Sequence, residues 1–232
     1  MIRLIHFITD TNIGGAGKLL CNQIKNMADS DFEISVALPK NSALISELQS
    51  LPCSIIKCKN GADTSFSRQS FIEDYNIIKA LQPDIVHSHG SLSSRIAATA
   101  LGIPTRIFTR HCIFPIAPSL GAPLIRQSLG RVNNLLSTSM IAVADEARRD
   151  LINMGCQEAK ITTVINGTEP ICPLSELEKT YIKQQHGLND KHFVISIFAR
   201  LEEYKGQETL LRAAQICKKY CPHFRFFIVG DG

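Results

Sequence analysis

Short apolar runs alternate with segments whose apolar residues recur at helical spacing, and this order continues as far as Ile165. The apolar runs predict strands over residues 3–9, 32–38, 54–58, 84–87, 105–109, 140–144 and 162–165. The segments between them predict helices over residues 17–28, 43–49, 71–81, 120–136 and 146–154, with an alanine-rich helix ending near Leu101. Such alternation indicates a parallel sheet covered by helices. We therefore predict an α/β fold with a doubly wound, Rossmann-like sheet of six or seven strands.

The periodicity weakens after this sheet, where Pro170 and Pro173 precede a polar helix over residues 175–186. A strand from Phe193, a helix over residues 207–220 and a strand from Phe224 follow. We assign residues 1–169 to an N-terminal domain, 170–190 to a linker and helix, and 191–232 to the first βαβ unit of a second Rossmann-like domain. A single βαβ unit buries too little surface to be a finished domain, so we expect this second domain to be incomplete.

Composition excludes several classes of protein. The net charge is only +4, aromatic residues make up 6% of the 232 residues and there is no tryptophan, so we expect no nucleic-acid partner. No segment has the length of a membrane span or the form of a signal peptide, which predicts a cytoplasmic location. The eight cysteines are spread from Cys21 to Cys221, a pattern typical of reduced and mostly buried thiols.

Two turns between a strand and a helix are candidate anion sites. Arg200 and Lys205 lie five residues apart just before the helix over 207–220, where free N–H groups and the helix dipole favour a diphosphate. Gly14 and Gly15 follow the first strand and would let the backbone approach a phosphate. Their spacing matches neither the dinucleotide fingerprint nor the P-loop, and a plain turn without a ligand is the alternative.

Histidines supply the other candidate chemistry. His111 follows the strand over 105–109 and is flanked by Arg106 and Arg110, cations expected to lower its pKa and keep it neutral, able to exchange a hydrogen bond with a sugar hydroxyl. A loop histidine without a role is the alternative. His87 and His89 point the same way from the end of a strand, but no third histidine or carboxylate is placed to complete a metal site. We therefore predict that they contact substrate or the core, and that there is no metal site.

The helix over residues 120–136 is amphipathic and carries Arg126 and Arg131 among its polar positions. It either packs on the core with solvated arginines or lies on an anionic membrane surface. Residues 112–123 before it contain three prolines and no period, which indicates a loop at the mouth of a cleft.

Taken in order, six motifs resemble those of the retaining glycosyltransferases of family 4, whose GT-B fold has two Rossmann-like domains facing a cleft. The motifs are Gly14-Gly15, PDIVHSHG at 83–90, FTRH at 108–111, IAVADEA at 141–147 with KITTVING at 160–167, ARLEEYKG at 199–206, and IVGDG at 228–232. The resemblance covers nearly the whole chain.

This resemblance implies that Arg200 and Lys205 hold the diphosphate of a nucleotide-sugar donor and neutralise the leaving group. Gly14, Gly15 and Gly206 would belong to the same anion site, and His111 would contact the donor sugar. No metal or other cofactor is implied. The acceptor would be a glycan or a lipid-linked glycan of surface polysaccharide or lipopolysaccharide synthesis. The protein would then also contact the inner face of the cell membrane peripherally.

One departure from the family pattern is the ending. Family members continue past Gly-Asp-Gly with a base-binding strand and a Glu-x7-Glu motif, so we expect the chain as given to be truncated in the donor-binding domain and inactive or very weak alone. A non-catalytic module that binds a glycan or a partner is the alternative. A dinucleotide-dependent oxidoreductase is disfavoured, because the second strand ends at Pro39-Lys40 and not at an acidic residue.

Overall fold

The computed structural model describes residues 1–27, 31–113, 123–168 and 170–230, with the side chains of residues 123 and 124 excepted. The chain divides into two compact units, Met1–Glu169 and Pro170–Gly232. Glu169, the residues 114–122 of the expected cleft loop, and Asp231-Gly232 of the last motif lie outside the described residues.

The first unit is built on a parallel sheet. Its strands are β1 Ile2–Ile8, β2 Phe32–Pro39, β3 Ser54–Cys58, β4 Ile85–His89, β5 Thr105–Arg110, β6 Ser139–Ala142 and β7 Ile161–Thr163. Its helices are α1 Gly15–Asn26, α2 Leu44–Leu48, α3 Arg68–Leu81, α4 Leu92–Ala100, α5 Pro123–Leu136 and α6 Asp145–Asn153. The seven strands lie in the order β3-β2-β1-β4-β5-β6-β7, which confirms the predicted doubly wound α/β sheet.

The strand order reverses beside β1, because the chain first moves outward to β2 and β3 and then returns to place β4 on the other side of β1. Ligands of such sheets bind outside the carboxyl ends of the strands at this reversal. The strand predicted to end at His87 continues to His89, because Ser88 pairs with Phe7 and His89 with Ile8. This extension places both histidines within the sheet, where a turn was expected.

Strand β1 is buried on both faces, which explains why its sequence is almost continuously apolar. Leu4 and Ile8 pack in one hydrophobic cluster with α1 and α2, while Ile5 and Phe7 pack in a second cluster with α3 and α4. A third cluster joins β6 to α6 through Met140 and Leu151. His6 is therefore a fully buried polar residue in an otherwise apolar strand.

The second unit contains α7 Glu176–Gln185, β8 Phe193–Phe198, α8 Gln207–Tyr220 and β9 Phe224–Val229. A capping box between Ser175 and Glu178 begins α7. Strands β8 and β9 pair in parallel as a two-stranded sheet. None of the residues 170–230 is buried, and Phe198 is 76% exposed.

The eight cysteines, all within the described ranges, form no disulfide. Only Cys58 and Cys156 are buried, so the expectation of mostly buried thiols is wrong. Cys112 and Cys172 are exposed, and the other four are half-buried, with Cys21 and Cys53 packed against the first hydrophobic cluster.

Helix α5 crosses the end of α6 at Gly130. A Cβ added there would overlap the carbonyl oxygen of Met154 and lie 2.7 Å from the carbonyl carbon of Gly155. Both contacts are with backbone, which cannot rotate away. Only glycine therefore fits at this crossing.

We expect Gly130→Ala to lower the free energy of unfolding of the chain by about 1–3 kcal/mol, the usual cost of overpacking. Urea unfolding followed by circular dichroism measures this loss. Gly167→Ala is the matched control, since a Cβ at Gly167 meets no atom within 4 Å. Equal unfolding midpoints for the two variants would contradict the assigned crossing of α5 and α6.

Candidate active site

Four histidines meet at the carboxyl ends of three adjacent strands. His6 of β1 pairs in register with His87 of β4, and His89 lies two residues further on the same face. His111 directly follows β5, the next strand along the sheet. His6, His87 and His89 are at most 3% exposed.

These imidazoles are joined by short hydrogen bonds. Nδ1 of His6 lies 3.0 Å from Nε2 of His89, and Nδ1 of His89 lies 2.8 Å from Nε2 of His111. His87 stands outside this chain of bonds, because its Nε2 lies 2.7 Å from Oγ1 of Thr109. The arrangement links a fully buried ring to one at the edge of the sheet.

Burial keeps the cluster neutral. It lowers the pKa of His6 to about 3 and that of His111 to about 4. The pKa values of His87 and His89 are also well below the ordinary value, first through burial and then through the neighbouring histidines. Each ring therefore has one donor and one acceptor at neutral pH.

The structure confirms neither the expected source of His111 neutrality nor the expected lack of a third histidine. Arg106 and Arg110 do not lower its pKa, which falls because the ring is buried. Arg106 donates to the carbonyl groups of Ile103 and Leu136. The side chain of Arg110, next to His111 in sequence, leaves on the other side of the strand, as alternation requires.

His6 supplies the third histidine that the sequence left unassigned beside His87 and His89. One nitrogen from each of the three rings lies within 4.8 Å of the others, a grouping that a metal ion could use. Both nitrogens of His89 already take part in hydrogen bonds, so coordination through His89 requires one of them to break. The absence of a metal site stays a prediction.

Three arginines connect β5 with the helices α4, α5 and α6. Arg110 and Arg126 place guanidinium nitrogens 2.9 and 3.4 Å from the two carboxylate oxygens of Asp150. Arg95, only 7% exposed, lies 4.1 Å from the centre of the Phe108 ring and donates to Asn133. Arg126 thus pairs with α6, whereas the sequence indicated a solvated arginine at this position.

The glycine turn after β1 leads directly into α1. Gly14 is the residue before the helix, and no side chain caps the helix N-terminus there. Thr11 anchors the turn, since its backbone N–H donates to Asp63 at 3.0 Å. A Cβ at Gly15 would meet no atom within 4 Å, so the backbone beside this helix end is open. Binding of an anion by Gly14 and Gly15 stays a prediction.

The turn before α8 brings the two predicted cations to one tyrosine. Nη2 of Arg200 lies 3.3 Å from the Tyr204 hydroxyl, and Nζ of Lys205 lies 4.9 Å from the centre of its ring. Gly206 begins α8 with φ of +83°, a left-handed conformation that favours glycine. Both cations therefore share one exposed turn at a helix N-terminus, and their role as a diphosphate site stays a prediction.

Sequence reasoning missed His6 and Tyr204. His6 lies in an apolar strand, and its only signal is a polar residue where the pattern calls for an apolar one. Tyr204 lies between Arg200 and Lys205 in sequence, and an aromatic residue between two cations was a usable signal.

We expect Asp150→Asn to lower the free energy of unfolding by about 1–3 kcal/mol, because two partly buried guanidinium groups lose their charged partner. Thermal or urea unfolding measures the change. Glu146→Gln is the control, since the Glu146–Arg149 pair is about two-thirds exposed and should contribute under about 1 kcal/mol. An equal effect of both substitutions would contradict a structural role for Asp150.

Stability should also fall as the pH drops below 6.5. The buried histidines stay neutral in the folded chain while the unfolded chain takes up protons, which costs about 2 kcal/mol per histidine at pH 5. Asp74 acts in the opposite direction, because burial raises its pKa to about 7 and the folded chain keeps that proton, but one carboxyl offsets only part of the effect of four rings. Urea midpoints between pH 8 and 5 test this, and a midpoint that rises on acidification would contradict it.

Comparisons with known proteins agree with this architecture. The family model described as Glycosyltransferase Family 4 matches residues 13–170. EpsD of Bacillus subtilis, named as a glycosyltransferase, is 26% identical over 67% of this chain and 43% of its own length. An Escherichia coli protein named UDP-Gal:alpha-D-GlcNAc-diphosphoundecaprenol alpha-1,3-galactosyltransferase is 24% identical over 100% of this chain and 62% of its own length. The chain thus spans less than two thirds of these curated relatives.

Solved structures show the same fold. HepE of Anabaena in complex with UDP-glucose has a TM-score of 0.75 at 17% identity, over 100% of this chain and 61% of HepE. A glycosyltransferase from Rickettsia africae has a TM-score of 0.76 at 17% identity, over 99% of this chain and 60% of its own length.

Within the described ranges, every helix is too short or too polar to cross a membrane. The doubly wound sheet and the match over residues 13–170 lead to one assignment. The chain belongs to glycosyltransferase family 4 and has the Rossmann-like architecture of the GT-B fold.

Proposed function

We propose that this protein takes part in retaining transfer of a sugar from a nucleotide-diphosphate donor, a UDP-sugar in the first instance, to a glycan or lipid-linked acceptor. The observation that carries the proposal is the turn that gathers Arg200 and Lys205 at the N-terminus of α8. Two fixed cations beside free helix N–H groups form a site for the diphosphate of such a donor.

The chemistry of transfer explains why cations are needed there. The bond from the anomeric carbon to the diphosphate oxygen breaks, and negative charge grows on the diphosphate while the sugar ring becomes positively charged. Arg200 and Lys205 would stabilise the departing diphosphate in this state, which lowers the barrier. The acceptor hydroxyl would attack from the same side and pass its proton to the departing phosphate, so that configuration is retained.

The choice of donor and acceptor class rests on the relatives. HepE is described with UDP-glucose, and the Escherichia coli relative is named for UDP-Gal and for an acceptor carried on diphosphoundecaprenol. These names support a UDP-sugar donor and a lipid-linked acceptor of surface polysaccharide synthesis. An acceptor with a lipid tail would also require peripheral contact with a membrane.

Within this proposal His111 contacts the donor sugar. Burial keeps the ring neutral, so the ring offers a directional hydrogen bond without adding positive charge beside an oxocarbenium-like sugar. Gly14 and Gly15 would add backbone N–H groups at the uncapped end of α1. Metal ions and other cofactors have no step in this mechanism.

We expect Arg200→Gln and Lys205→Gln each to weaken UDP-sugar binding by roughly tenfold or more, because each removes a charge-assisted hydrogen bond to the diphosphate. Isothermal titration of the chain with UDP-glucose, UDP-galactose and UDP-N-acetylglucosamine measures affinity.

Arg212→Gln is the matched control, since Arg212 lies on α8 and pairs with Glu208 on an exposed surface. It should leave binding unchanged. Identical affinities of the Arg200→Gln and Arg212→Gln variants for every UDP-sugar would rule out the assigned diphosphate site.

A further inference from the structure

His6, His89 and His111 form one unbroken chain of hydrogen-bonded rings, here called the histidine relay. The two bonds, 3.0 and 2.8 Å long, use both nitrogens of His89, Nδ1 of His6 and Nε2 of His111. The two end atoms, Nε2 of His6 and Nδ1 of His111, are buried and have no hydrogen-bond partner among the described residues. The relay therefore begins and ends in unpaired polar atoms.

A neutral imidazole has one N–H donor and one acceptor nitrogen. If His6 donates from Nδ1 to His89, then His89 must donate from its own Nδ1 to His111, whose proton is then on Nδ1. If the direction is reversed, all three protons are on Nε2. In a mixed set of tautomers, two N–H groups or two lone pairs would point at each other across one of the bonds. The three rings therefore share one tautomer.

The two states also differ in proton balance at their ends. To pass from the Nδ1–H state to the Nε2–H state, one proton crosses each of the two hydrogen bonds. One further proton leaves Nδ1 of His111 and one is added to Nε2 of His6. The tautomer of His111 is therefore tied to the protonation of an atom two rings away.

Burial selects between the two states. An N–H group without an acceptor is costly, and the cost grows with the depth of burial. Both end nitrogens are buried and unpaired, so each state leaves one N–H group at one end and one lone pair at the other. The unpaired N–H costs less on His111, because this residue is partly exposed and a small shift of its ring lets water or a ligand reach Nδ1, whereas His6 is 0% exposed. The lower cost therefore belongs to the state with all three protons on Nδ1.

We propose that His6 and His89 are positioning residues that hold His111 as the Nδ1–H tautomer, so that His111 presents a hydrogen-bond donor. The nature of its acceptor rests on the proposed function: it would be an oxygen of the donor sugar. His111 then donates to the sugar and does not accept from it, so the ligand must offer an oxygen lone pair at that point.

His87 provides an internal comparison. Its ring lies 4.2 Å from that of His89 and is equally buried, but its Nε2 bonds to Thr109 and not to the histidine relay. A change at His87 should therefore disturb local packing without breaking the relay. This separates loss of packing from loss of the tautomer.

The direct test is long-range ¹H–¹⁵N spectroscopy of the chain labelled with ¹⁵N-histidine at pH 7.5, which distinguishes protonated from unprotonated ring nitrogens. We expect a protonated Nδ1 and an unprotonated Nε2 for His6, His89 and His111 alike. Opposite tautomers among the three, or a common Nε2–H state, would overturn the proposal. This measurement needs no variant and no ligand.

The variants His89→Phe and His87→Phe extend the test with side chains of similar shape. In His89→Phe we expect His111 to show both tautomers, because its Nε2 has lost the donor that fixed it. In His87→Phe we expect His111 to remain in the Nδ1–H state. The same His111 spectrum in both variants would count against the relay, and if either variant fails to fold, the wild-type tautomers still decide.

Two further measurements distinguish the histidine relay from a metal site and from the proposed donor-sugar contact. Addition of one equivalent of Zn²⁺ should leave the three spectra unchanged, whereas stoichiometric shifts of His6, His87 and His89 would replace the relay with a metal site. Titration with UDP-glucose tests the proposed function separately. A chain in the Nδ1–H state that binds no UDP-sugar would keep the relay and remove the donor-sugar role, while UDP-sugar binding with the wrong tautomer would do the reverse.

Discussion

Coverage of the parallel sheet on both faces is the constraint from which the N-terminal unit follows. Strands β1 and β4 lie at the centre of the seven-stranded order, and helices close over both of their sides. Any polar side chain on these strands loses its water and must find a partner within the protein. The imidazoles at their carboxyl ends meet this demand in part, by bonding to one another and to Thr109, while Nε2 of His6 and Nδ1 of His111 have no partner among the described residues.

The same constraint governs charge. Burial depresses the pKa of every ring in the cluster, so four histidines can pack together without repulsion at neutral pH. The arginines next to them in the chain are directed elsewhere, to Asp150 and to backbone carbonyl groups. Neutral imidazoles and paired guanidinium groups are thereby kept on opposite sides of the strand ends, which preserves the hydrogen-bonding capacity of His111.

The second unit differs, because its candidate site residues are charged and exposed. Its cations lie on an exposed turn around Tyr204, where Arg200 also lies 3.7 Å from the carboxylate of Glu202. The N-terminal unit thus carries buried, uncharged imidazoles, whereas the second unit carries exposed cations at a helix start.

The sequence by itself determined the alternation of strands and helices, the doubly wound sheet, the membership in glycosyltransferase family 4 and the position of Arg200 and Lys205 at a helix start. These are local features, readable from periodicity and short motifs. Only the tertiary structure decided that His6 joins His87 and His89, because 81 residues separate His6 from His87 and the parallel pairing of β1 with β4 sets their register. It also decided that burial, and not the neighbouring arginines, keeps His111 neutral. Which groups a side chain meets, and how much water it loses, depend on contacts between distant segments that no local pattern encodes.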